Sequence, residues 1–189
     1  KKEVLHAIEE QGKLTESLRT SIEQAETLTG VEDLYLPFRP KRRTRASIAR
    51  EKGLEPLAEA LRKGSSEPAE QLAQPYISAE SGVETADDAL DGALDILAED
   101  CSIDATLRSH LRALLRSTSE LVSTGKDADT TVYAQYADFR SPIRRLQSHQ
   151  ILALNRGERE KLLKIDIDCD EDAAVQLIAR SVFRKPHPY

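Results

Sequence analysis

The chain of 189 residues contains no tryptophan, no methionine and only two cysteines, and its aromatic residues are five tyrosines and three phenylalanines. With so few rings, a core has to be built from Leu, Ile, Val and Ala, a composition that suits packed helices better than a β-sandwich. Cys101 and Cys169 stand apart without C-x-x-C spacing, which excludes a disulfide-dense scaffold and suits a reducing cytoplasm. No apolar run approaches the ~20 residues that span a bilayer, and no signal-peptide pattern opens the chain, so a soluble cytoplasmic protein with no membrane partner is expected. The absence of methionine, with a helix already in progress at Lys1, is expected of a fragment of a longer chain or of a sequence from which modified methionines are omitted.

Chemistry-bearing patterns are equally scarce. His6, His110, His149 and His187 lie far apart with no H-x-x-x-H or H-E-x-x-H spacing, which argues against zinc. Ser148-His149 lacks a nucleophile elbow, and no Gly-rich phosphate loop follows a strand. Asp166, Asp168, Asp170 and Asp172 alternate like the start of a Ca²⁺ loop, but Glu171 stands where the sharp turn needs Gly and Leu177 where a bidentate Glu belongs. No catalytic residue, no metal and no cofactor is therefore predicted.

What is present in excess is local positive charge. The chain carries 27 Lys and Arg against 33 Asp and Glu, a net −6. Residues 39–52 carry seven cations and one Glu, or +6, which leaves −12 for the remainder. Five of these cations, Arg39, Lys41, Arg42, Arg43 and Arg45, fall within seven positions of a segment that also holds Pro37 and Pro40. Each proline disfavours helical geometry in the residue before it, here Leu36 and Arg39, so the segment is expected to run extended. Thr44 suits the N-cap of a short helix from about Arg45 to Lys52 that Gly53 closes. That helix N-terminus is approached by cations where the macrodipole favours Asp or Glu, a broken local rule that calls for an anion. A phosphate held by guanidinium forks would supply it; a solvated loop, or an acidic face elsewhere in the fold, would serve as well.

The rest of the chain reads as helices. Val4, Leu5 and Ile8 form a stripe ended by Gly12, and Thr15 caps a second helix through Leu18, Ile22, Ala25 and Leu28 to Gly30. Tyr35 and Phe38, beside the basic segment, could stack on bases, although aromatics there more commonly anchor a loop to the core. Helices are predicted from Leu54-Glu55-Pro56 to Gly64, from Pro68 to Pro75, from the capping box Thr85-Ala86-Asp87-Asp88 through Ala98, and from Asp104 through Leu115. Arg108, Arg112 and Arg116 form a row facing either the preceding acidic helix or solvent. Val132, Tyr136 and Phe139 make another helical face, and Ser148 caps a helix to Gly157. The alternation of Leu163, Ile165 and Ile167 is the one clear strand pattern, followed by a last helix from about Asp172 to Phe183. The expected fold class is mostly α, multi-helical with helix-turn-helix-like elements and one small β element near the C-terminal end. Three regions are expected: 1–64 with the basic loop, 65–157 helical, and 158–189 with a strand and C-terminal helix.

Several short runs carry a family resemblance. Glu9-Glu10-Gln11-Gly12-Lys13-Leu14-Thr15, Glu32-Asp33-Leu34-Tyr35-Leu36-Pro37-Phe38 with Lys41-Arg42-Arg43-Thr44, Gly53-Leu54 and Leu57-Ala58 come first. Asp104-Ala105-Thr106-Leu107, Gly125-Lys126, Ser148-His149, Leu152-Ala153-Leu154 and Arg156-Gly157 follow in family order. Together they resemble the N-terminal region of the Tex-like transcription accessory proteins. The resemblance implies a large bacterial cytoplasmic protein, related to a eukaryotic transcription elongation factor, whose helical N-terminal half holds a helix-turn-helix element. It also implies later RNase-H-like, helix-hairpin-helix and oligonucleotide-binding parts, none of which is in this sequence. Gln150 departs from the more usual Arg after the His, and the stretch before Gly125-Lys126 is shorter than is usual. Two functions follow as expectations. In the first, Arg39, Lys41, Arg42, Arg43 and Arg45 contact the phosphates of RNA or DNA; in the second, the chain is a helical scaffold for further domains or RNA polymerase.

Overall fold

The computed structural model describes residues 1–39, 43–65, 67–125 and 132–183. It divides into two compact units, one formed by Lys1–Ser109 with the described residues from Leu177 onward, the other by His110–Gln176. Ten α-helices and a three-stranded antiparallel sheet are present among the described residues.

The first unit has two apolar clusters. Helices α1 (Lys2–Glu10), α2 (Glu16–Gln24) and α3 (Leu28–Tyr35) bury Ile8, Ile22 and Val31 against one another. The single second helix expected to run to Gly30 is in fact two. Ala25 leaves helical geometry at ψ 119°, and the Thr27 hydroxyl accepts from the Gly30 N–H at 3.1 Å to start α3, so Gly30 lies inside a helix. Tyr35 and Phe38 pack on this cluster, which makes them anchors. The second cluster joins α4 (Arg45–Glu51), α5 (Glu55–Lys63), α6 (Ala69–Ala73) and α7 (Ala86–Ile103) around Leu54, Leu57, Val83 and Ile96, all essentially sealed from solvent. Burying each such side chain contributes roughly 1.5–3 kcal/mol. Close approach is built into α7: a Cβ at Gly92 would stand 2.3 Å from Leu54 Cδ1.

Most caps follow the sequence, although Ser148 is the first residue inside its helix and Gln147 is the N-cap there. Thr15, Thr44 and Thr85 accept from the N–H three residues on, and Asp104 does the same for Leu107 at 2.9 Å at the start of α8 (Ala105–Thr118). Each satisfies an N–H that has no intrahelical partner, worth about 1 kcal/mol per cap.

In the second unit, β1 (Glu120–Thr124) is central, flanked by β2 (Asp138–Pro142) and β3 (Lys164–Asp168) in the order β2-β1-β3. Leu121 pairs with Ser141 and Ile167, and Ser123 with Phe139 and Ile165. The predicted strand at 162–167 is thus one of three. Phe139, expected on a helical face with Tyr136, lies on β2. Tyr136 closes a 3₁₀ turn before it, and the two rings meet edge to face at 5.3 Å; a three-residue spacing serves a turn plus strand as readily as a helix. Helix α9 (Ser148–Arg159) covers Tyr133, Tyr136 and Leu163 with Leu154. Gly157 is interior to α9 and does not end it. A Cβ there would meet Leu163 Cδ1 at 2.6 Å and Tyr133 Cδ1 at 3.3 Å, and it is Lys161, at φ 61°, that turns the chain after the helix. Helix α10 (Glu171–Val182) is the last described element.

Candidate nucleic-acid interface

The basic segment begins on a short 3₁₀ turn. Leu36–Phe38 is 3₁₀, with Leu36 in helical geometry before Pro37, so the expected extended conformation is found at Arg39 but not at Leu36. Proline in a first turn removes only an N–H that would lack a helical partner anyway. The Gln11 amide donates to the Phe38 carbonyl at 2.9 Å, which ties the turn to the end of α1. Arg39 follows, extended and solvent-exposed, with no carboxylate partner among the described residues. Lys41 and Arg42 lie outside the described residues.

From Arg43 onward the cations meet acids. Arg43 pairs with Glu51 at 3.0 Å and Arg45 with Asp95 at 3.1 Å, their side chains remaining 70% and 86% exposed. Behind them α4 packs on α7 through a network that single residues do not reveal. The Glu99 carboxylate accepts from the Thr44 hydroxyl at 2.9 Å and from Arg50 Nη1 at 2.6 Å. Arg50 Nη2 reaches Asp100 at 2.8 Å, and Arg62 bonds the same Asp100. Burial works against the Arg50 charge, yet the bond to Glu99 and the fields of Asp100, Glu99 and Glu55 outweigh it and raise its pKa above the ordinary value. The acids of α7 therefore supply part of the counter-charge that the sequence around Thr44 lacks. They hold Arg50 firmly, whereas exposed pairs such as Arg43–Glu51 are worth at most about 1 kcal/mol and exchange readily for another anion.

Other candidates are absorbed by structure. Arg108 reaches the acidic helix only through its backbone, its Nη1 donating to the Ser102 carbonyl of α7 at 3.2 Å, while its Nε donates at 2.7 Å to Asp33, which is 4% exposed, and fixes α3 to α8. Three of the four alternating acids near the C-terminal end are engaged. Asp166 pairs with Lys164 at 2.7 Å, Asp168 with Arg140 at 2.6 Å, and Asp170 caps Ala173 at 2.9 Å. Among the described residues no group of three or more His, Cys, Asp or Glu could hold a metal ion, and no helix is long and apolar enough to cross a membrane. Burial pushes the Cys101 thiol above its usual range, leaving it protonated and a poor nucleophile. Sequence reading missed the Glu99–Arg50–Asp100–Arg62 network because its members are up to 50 residues apart; the one signal was the polar face of α7, which any solvated helix would share.

The model of the Tex central region-like family matches residues 64–186. The chain belongs to that family. Protein tex of Bordetella pertussis is 42% identical over 188 residues, covering 98% of this chain and 23% of that protein. The transcriptional accessory protein Tex of Neisseria gonorrhoeae is 43% identical over 172 residues, 89% of this chain and 22% of its own length. More distantly, the human S1 RNA-binding domain-containing protein 1 is 29% identical over 178 residues, 88% of this chain and 18% of that protein. The chain thus spans less than a quarter of the length of these relatives. Its similarity is to proteins named for transcription and, in the human case, for an RNA-binding domain.

Proposed function

We propose that this chain is a non-catalytic helical module of a cytoplasmic Tex-family transcription accessory protein and that it contacts RNA or DNA through the phosphates. Arg39, Lys41, Arg42, Arg43 and Arg45 form the contact. The observation that carries the reading is the exposure of this charge: the guanidiniums of Arg43 and Arg45 remain mostly in solvent although each has a carboxylate within reach. A phosphate can displace or share such a partner, because screened surface pairs hold their geometry weakly. The names of the transcription and RNA-binding relatives support the same direction.

The test is a titration of the chain with labelled single-stranded and duplex oligonucleotides over a range of salt. Three or four phosphate contacts on duplex DNA give a slope of log K against log salt of roughly −3 to −4. Binding is weak and nearly sequence-blind, because phosphates carry no base code. Changing Arg42, Arg43 and Arg45 together to Glu abolishes it with the fold intact. Asp95→Asn releases Arg45 and strengthens it about twofold at low salt.

A second reading is favoured by the ion pairs themselves. If the segment is part of a scaffold for further domains or RNA polymerase, its cations serve α4 and α7. The triple change then lowers the melting temperature, and the unaltered chain already fails to bind oligonucleotides at low salt.

A further inference from the structure

A second arrangement of cations has no structural employment. Arg156 and Arg159 stand one turn apart on α9 and line a groove of about 530 Å³ against the segment Val132–Tyr136. Arg43, Arg45, Arg50, Arg62, Arg108 and Arg140 each have a carboxylate within ion-pair distance. Neither Arg156 nor Arg159 has one among the described residues, and no carboxylate lines the groove. Glu160, next to Arg159 in sequence, accepts the Tyr133 hydroxyl at 3.0 Å.

The remaining walls are of two other kinds. Val132 and Leu152 are 84% and 70% exposed, an arrangement that presents apolar surface to water at the groove with nothing covering it among the described residues. Gln135 and Asn155 add two side-chain amides, each with donors and an acceptor. The floor is rigid: Tyr133 and Tyr136 are buried, Tyr136 is braced by Phe139, and the bare Cα of Gly157 lets α9 close on Tyr133.

We infer that this groove is a binding site for single-stranded nucleic acid. An unpaired nucleotide presents an anion, an apolar face and a hydrogen-bonding edge, and the groove answers each in kind: guanidiniums for phosphates, Val132 and Leu152 for the base face, and the amides for its edge. A duplex keeps its base faces stacked inside and offers phosphates alone, so the apolar walls would have no use. An acidic peptide could satisfy the guanidiniums with its carboxylates and the amides with its backbone, but its acidic side chains bring no apolar face to Val132 and Leu152. The volume lies in the range of small-ligand sites, room for about one nucleotide. The site shares no residue with the basic segment at 39–45 and does not depend on that segment binding anything.

The experiment uses the 189-residue chain and a labelled oligouridylate in fluorescence anisotropy across a salt series. The double change Arg156→Gln with Arg159→Gln is expected to weaken binding about tenfold or more and to reduce the salt slope by roughly 1.4, two phosphates at about 0.7 each. Leu152→Ser weakens binding severalfold without altering the slope, as loss of a base contact should. Arg43→Glu with Arg45→Glu is run in parallel: loss of binding there, with the α9 variants unchanged, overturns this site and leaves the basic segment standing. A photoreactive thiouridine oligonucleotide on the unaltered chain supplies a readout independent of variant folding. Adducts within 132–136 or 152–159 support the site, and a map confined to other residues overturns it. Binding of an acidic peptide that the double change abolishes, with no binding of oligouridylate, also overturns it.

Discussion

Arg50 and Arg156 occupy the same kind of position, the last turn of a helix, where a cation favours the negative end of the macrodipole. Their surroundings are opposite. Arg50 is clasped by Glu99 and Asp100 of α7 and approached by Glu55, while Arg156 faces a groove without a carboxylate. The difference shows why summed charge is a poor guide to binding. The acidic remainder of the chain is not spread evenly over its cations: α7 concentrates part of it on α4 and α5, whereas Arg156 and Arg159 of α9 have no carboxylate within ion-pair distance among the described residues. A cation held in a part-buried network contributes to folding, whereas one left open at an apolar groove is free to act on something else.

The largest expected effect breaks this contrast at its strongest point. Glu99→Ala removes the acceptor of both Thr44 and Arg50, each part-buried. Charge-assisted hydrogen bonds contribute about 1.5–3 kcal/mol, and solvent reaching Arg50 keeps the loss below the full cost of a buried unpaired charge. A loss of about 2–3 kcal/mol in urea unfolding is expected, against a change within about 0.5 kcal/mol for Arg156→Ala. Equal losses from the two changes would erase the distinction.

A smaller effect tests the two helix contacts that bring these residues into place. Gly92→Ala drives a methyl toward Leu54 Cδ1, and Gly157→Ala drives one toward Leu163 and Tyr133. Overpacking costs about 1–3 kcal/mol and alanine recovers up to about 1 kcal/mol in helix propensity, so each change should destabilise by roughly 1–2 kcal/mol. The two are told apart by oligouridylate binding, which only Gly157→Ala weakens, because only it displaces the floor of the groove.

Much of the helical framework was legible because its signals are local. Thr15, Thr44, Thr85 and Asp104 cap where their hydroxyls and carboxylate predict, and Leu57 with Leu61 marks the buried face of α5. Failures came where one residue type serves two purposes. Gly30 and Gly157 read as helix stops, yet Gly30 sits inside α3 and Gly157 lets α9 approach Leu163; sequence does not distinguish a glycine that turns from one that makes room. The three-residue spacing of Tyr136 and Phe139 hid β2 for a related reason, since a strand of five residues that begins on a 3₁₀ turn offers too little alternation to detect. The cations at 39–45 were visible from composition, but the pairing of Arg45 with Asp95 of α7 is set by packing between distant helices. The α9 groove was not legible at all, because Arg156, Arg159, Leu152 and Val132 are individually ordinary and only the fold assembles them.

The smallest effect sharpens the comparison at the helix N-termini. Helices α7 and α9 both use the side chain of the third helical residue to accept from the N-cap N–H, but α7 uses a carboxylate and α9 an amide. Asp88 accepts from the Thr85 and Glu84 N–H groups at 3.0 and 3.2 Å, while Gln150 accepts from the Gln147 N–H at 2.9 Å. The Thr85 side chain, then the backbone N–H groups, hold the Asp88 carboxyl below its ordinary value. A group whose folded pKa is depressed contributes stability that is fully present above its unfolded pKa, near 3.8, and is lost as pH falls through the folded value. The destabilisation caused by Asp88→Ala should therefore be constant from neutral pH down to about pH 5 and shrink below the ordinary carboxylate range as the native Asp88 protonates. That caused by Gln150→Ala should not change over the same interval, since an amide does not titrate. Melting temperatures of the two variants and the unaltered chain along one acid series check both; a pH-dependent difference at Gln150, or a flat one at Asp88, would show that capping in the two regions does not differ in charge as the geometry requires.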